Sequence, residues 1–259
     1  MAEHISSVEA KIQDLPGHDT FRASHLIYYD EINRDVGIFV LCLEAFNAFN
    51  DSIMVSERHA LAYERLQDEL FLVEGRSIFD GPLPENPVTW KLLRSLNLEH
   101  LKIASGFEII LKSMLVEKGI VIQEIVNMDG PYKILAVKQS SSPVYTEELL
   151  EIDDFRFDGL INYLPGITRK SLGFQTILEK PDYRSVLEIS DLDLELIDEF
   201  RNLRNEIHFP RDAISTPVRA AYPMPISDFL VNFINKWIVD RGNLISDTRG
   251  LGQRWQKLT

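Results

Sequence analysis

"TWKLLRSLNLEHLKIASGFEIILKSMLVEKG", residues 89–119, sets the fold class. Wound at 3.6 residues per turn, it spreads Leu101, Ala104, Ile109, Leu111, Met114 and Leu115 over most of a helix circumference and leaves only a narrow polar strip. A helix of that kind needs neighbours on several sides, so it is expected to be central and buried. Gly119 stands where a C-terminal cap would end it.

Upstream, "DGPLPENPV" (80–88) carries three prolines and reads as a linker or sharp turn. Before it, "TFRASHLIYYDEINRDVGIFVLCLEAFNAFN" (20–50) and "SERHALAYERLQDELFLVEG" (56–75) have apolar residues at helical spacing. They read as two helices, the second opening at Ser56 with an imperfect capping box to His59 and with Glu57 placed for the helix dipole. Downstream, "IVIQEIV" (120–126) and "YKILAVKQ" (132–139) are β-branched runs around a turn sequence and suggest a short hairpin. Shorter, interrupted helices follow in a strongly acidic stretch. Then "LDLELIDEFRNLRNEIHF" (192–209) returns to strong periodicity, and "PISDFLVNFINKWIVDRG" (225–242) is a last amphipathic helix with Pro225 near its start.

The expectation is an all-α protein: an N-terminal helical region over residues 1–82, a helical bundle over 88–245 carrying a short β-hairpin insertion, and a tail over 246–259. With 259 residues and 45% hydrophobic content, the chain can bury a core of ordinary size. Its one cysteine, Cys42, lies in an apolar run and reads as a small core residue, which excludes an intramolecular disulfide and points to a reducing cytoplasm. The N-terminus lacks the pattern of a signal peptide, and no apolar run reaches the roughly 20 residues that span a bilayer. No membrane partner is expected.

The net charge of −13 opposes a nucleic-acid partner, but its distribution qualifies that. Residues 201–259 carry a net +4, so the rest of the chain carries −17. A local basic surface on an acidic protein is therefore available.

The basic segment begins at "EFRNLRNEIHFPRD" (199–212). Leu196, Phe200, Leu203 and Ile207 form one helical stripe, read as the core face, and Arg201, Arg204, Asn205 and His208 share another. Pro210 ends the helix and places His208 in its final turn, where the dipole favours a protonated imidazole. Cations in a last turn are also what a stable helix end prefers, and such arginines pair with nearby acids such as Asp198.

"RNLRNEIH" resembles the signature of the HEPN superfamily, in which an arginine with a polar follower precedes a histidine by four to six intervening residues. Arg201 with Asn202 fits, with six residues between Arg201 and His208; the other frame, from Arg204, leaves three. "LKIASGFEIILKSMLVEKG" is similar to the earlier HEPN helix, with Glu108 and Lys112 at the positions of its Glu and Lys, a pair that equally reads as an ordinary helical ion pair. The two matches cover roughly residues 88–241.

The resemblance implies a metal-independent, cofactor-free endoribonuclease working as a homodimer, of the kind found as toxins or antiviral defence effectors with antitoxin or defence-system partner proteins. It implies catalytic roles for Arg201, His208 and Asn202, with Arg204, Asn205 and Arg211 on the RNA substrate. Histidine moves protons near neutral pH, and arginine matches phosphate oxygens with a planar fork, which suits attack of a 2′-hydroxyl on the neighbouring phosphate. The alternative is a catalytically silent module of the same fold that binds a partner protein or a nucleotide. No glycine-rich phosphate loop, zinc motif, nucleophile elbow or calcium loop is present. The remaining histidines are scattered, and Trp90 and Trp237 read as core anchors.

Overall fold

A computed structural model describes residues 31–77, 83–125, 130–152 and 171–206, together with Phe233, Lys236 and Trp237. The described regular structure is helical: α1 Glu31–Glu74, α2 Pro87–Glu117, α3 Gly130–Gln139, α4 Thr146–Leu150, α5 Phe174–Glu179, α6 Pro181–Val186 and α7 Asp191–Glu206. The all-α expectation holds at that level. Most of the 225–242 helix and the 246–259 tail lie outside the described residues.

Helix α1 runs unbroken for 44 residues, where the sequence suggested two helices. Between Gly37 and Gly75 there is neither proline nor glycine, so the polar stretch around Ser56 has no breaker to stop the helix. Gly75, at φ 65°, closes it by donating to the carbonyl of Phe71. The proline-rich connection ends in a cap: the Asn86 side chain accepts from the amide of Thr89 at 2.8 Å, and Pro87 takes the first helical position. Asn86 also donates to Glu69 of α1.

Helix α2 ends as its sequence indicates. Gly119, at φ 74°, donates to Val116, and Ile120 donates to Leu115, the paired bonds of a Schellman motif.

The chain divides into two compact units, neither contiguous in sequence. One comprises Met1–Glu44, Glu108–Leu194 and Lys236–Thr259, the other Ala45–Phe107 and Glu195–Asn235. In the second unit, Ala62, Leu66 and Leu70 of α1 pack against Leu83, Leu92, Leu93 and Leu96. An aromatic cluster lies in the same unit. Phe107 meets Phe49, Phe200 and Phe233 at ring-centroid distances of 5.2, 5.5 and 5.1 Å.

The first unit is organised around the extended segment 120–125. Its backbone pairs on one side with residues 144–145, through Val121 to Val144, and on the other with residues 171–172, where Leu172 donates to Ile122 at 2.7 Å. The fully buried Gln139 holds it further: its side-chain oxygen accepts from Ile125, and its amide nitrogen donates to the carbonyl of Gln123. The buried Tyr183 hydroxyl donates to the Gln139 carbonyl, and burial pushes that phenol well above its ordinary pKa.

The hairpin expectation is corrected here. Residues 132–139 belong to α3, and the extended segment takes its partners from farther along the chain. Gly130 and Pro131 start a helix, and Tyr132, Leu135, Ala136 and Gln139 then fall on one inward face at 3.6-residue spacing. The β-branched Ile134 and Val137, which suggested a strand, lie on the exposed face.

Candidate functional site

Helix α7 is capped by Ser190, whose hydroxyl accepts from the amide of Asp193, and has Asp191 and Asp193 in its first turn. Its buried residues are Leu194, Ile197 and Phe200, while Leu196 and Leu203 are only half-buried. The core face is therefore rotated from the Leu196–Phe200–Leu203 stripe expected from sequence. Two apolar rows compete on this helix, and Ile197, adjacent to Phe200 and Leu194 around the cylinder, decides between them.

The rotation changes the setting of the cations. Arg201 and Arg204 follow Ile197 at i+4 and i+7, so they prolong the buried row instead of occupying a separate solvated face. Both are half-buried, and the Arg201 side chain is 11% exposed. Asn202 and Asn205 are exposed. His208 and Arg211 lie outside the described residues.

One carboxylate organises the motif residues. Asp198 Oδ1 accepts from Arg201 Nε at 2.5 Å, and Oδ2 accepts from Asn202 Nδ2 at 3.3 Å. The i+3 and i+4 spacings bring both side chains over the same turn. The ion pair anticipated as the plain alternative is thus present, and the same contact fixes the guanidinium plane.

Glu108 and Lys112 belong to the first unit. They form an i,i+4 ion pair at 2.6 Å, and Lys112 Nζ also donates to Ser171 Oγ at 2.8 Å. Only 3% of the Lys112 side chain is exposed. The geometry is that of the ordinary helical ion pair, set inside a packed interior, with Ser171 as a partner that sequence spacing gave no means of finding. Gln123, which pairs with Ser171 through the backbone, is also buried there.

Of the other residues singled out, Cys42 is buried as expected and Trp237 is buried. Trp90 is not a core anchor: it is 45% exposed on the outer face of α2, beside Arg94, Leu98 and Leu101. Among the described residues no helix is long and apolar enough to cross a membrane.

These observations define a mostly helical protein with a half-sheltered arginine pair at the end of one helix. No protein-family model, curated protein or solved structure matches the chain.

Proposed function

We propose that the chain is a metal-independent endoribonuclease of the HEPN type. Arg201 binds the scissile phosphate, His208 transfers protons, and Asn202 orients them. Arg204, Asn205 and Arg211 engage the surrounding RNA. The observation that supports this reading is the placement of Arg201 and Arg204 on the continuation of a buried row. A guanidinium partly withdrawn from water interacts with a phosphate more strongly than a fully solvated one does, because less of its field is screened.

The reaction is attack of a ribose 2′-hydroxyl on the adjacent phosphorus with departure of the 5′-oxygen. It leaves a 2′,3′-cyclic phosphate and a 5′-hydroxyl. A homodimer brings two such helix ends together, and a toxin or antiviral effector role, with a partner protein restraining it in the cytoplasm, fits this chemistry. The test is incubation of the purified protein with mixed RNA in EDTA, followed by end-group analysis of the fragments. Cyclic-phosphate ends support the reading; intact RNA removes it.

A second reading is a catalytically silent helical module that binds a partner protein. Two observations favour it: Asp198 neutralises Arg201 at contact distance, and the chain carries −13 overall.

A further inference from the structure

We infer that Asp198 is a positioning residue that sets a trade between RNA binding and turnover at this site; the inference rests on the ribonuclease reading above. Its two carboxylate oxygens are divided between Arg201 Nε and Asn202 Nδ2, so one side chain fixes two residues of the motif at once. Holding an arginine by Nε fixes the plane and direction of the guanidinium fork, which is what in-line phosphate recognition requires. Asp198 itself is 35% exposed, close enough to solvent for its negative charge to be felt by an approaching phosphate.

Two opposed effects follow. The carboxylate orders Arg201 and Asn202, which favours the transition state, and it subtracts one charge from the patch that attracts RNA, which disfavours binding. Removing the charge while keeping the shape separates them. In Asp198→Asn, the side chain still accepts one hydrogen bond but no longer forms an ion pair, so RNA binds more readily and Arg201 is less well aimed.

The experiment is steady-state cleavage of a fluorogenic RNA oligonucleotide in EDTA by the full chain and by Asp198→Asn, Asp198→Ala and Asp198→Glu, with melting curves for each. For Asp198→Asn the expected result is a KM lower by about 3- to 5-fold with a kcat lower by about tenfold or more. Asp198→Glu, which keeps the charge, is expected to retain the original KM and to recover part of the kcat. Asp198→Asn that melts lower but cleaves with unaltered kcat and KM overturns the inference and leaves the ribonuclease reading standing. A kcat loss without a KM decrease also overturns it. Absence of cleavage by the unaltered protein overturns both. If Asp198→Ala fails to fold, the near-isosteric Asp198→Asn decides.

Discussion

Arg201 and His208 are the residues on which the proposed chemistry turns. His208→Ala is expected to lower RNA cleavage by roughly 10²-fold or more and to leave the melting temperature nearly unchanged. Arg201→Ala is expected to lose cleavage to a similar extent but also to melt lower, because its side chain is only 11% exposed and is paired with Asp198, and the size of the Arg204→Ala effect on cleavage shows which arginine heads the motif; initial rates in EDTA measure all three. Activity that survives both Arg201→Ala and His208→Ala sinks this assignment. Glu108 gives a contrasting residue-scale case, since its pair with the buried Lys112 is a matter of stability. Glu108→Ala strips the ammonium of its carboxylate in a packed interior, which typically costs about 3–5 kcal/mol. The double replacement Glu108→Leu with Lys112→Met is expected to restore much of the loss in urea denaturation. Sequence spacing revealed both ion-paired sets, because i,i+3 and i,i+4 neighbours are local facts. It did not reveal that Arg201 is half-sheltered or that Lys112 touches Ser171, 59 residues away, because both depend on tertiary packing.

Individual helices show where pattern suffices and where it fails. Helix α2 was legible as a long, mostly buried helix and at its end, where Gly119 caps it, because caps are written in residue types; its start at Pro87 was hidden in the proline-rich connection, and Trp90 and Leu101 lie on its exposed side. Helix α3 was misread because its two β-branched residues are exposed, and propensity there outweighed a four-residue inward face. The register of α7 was missed by a fraction of a turn because polar and apolar rows lie side by side on it. Close helix contact also leaves a testable mark at Gly106 of α2. A Cβ there would stand 2.7 Å from the Phe49 ring, which is itself held edge-on against Phe107. Gly106→Ala is therefore expected to destabilise the protein by about 1–3 kcal/mol through overpacking. Thermal denaturation checks it, and an unchanged melting temperature would show that the ring can move aside.

At the scale of the whole molecule, the proposed activity requires a second copy. One copy of the motif carries a single histidine for two proton transfers, and closed two-fold dimers are the commonest oligomers. We expect a homodimer with the 191–208 region near its axis, seen as twice the 29.8 kDa chain mass in light scattering at micromolar concentration. A strict monomer with full activity would falsify it. Helical content was legible at this scale, whereas the discontinuous make-up of the two units was not, because hydrophobic periodicity reports which face is buried and not what buries it.

The pairing of segment 120–125 also sets the earliest point at which this part of the first unit can close during synthesis. Its contacts reach far along the chain: Lys112 to Ser171 spans 59 residues, and Lys118 to Glu188 spans 70. At ordinary translation speeds, about 5–20 residues per second, Lys112 is made several seconds before Ser171. Throughout that interval the nascent chain holds α2 and the apolar run Ile120–Val121–Ile122 without the strand edge that Leu172 supplies. A chain that ends before Ser171 lacks partners of both Lys112 and the 120–125 segment, and it is expected to be cleaved faster by added protease than the full chain, as limited proteolysis of the two would show.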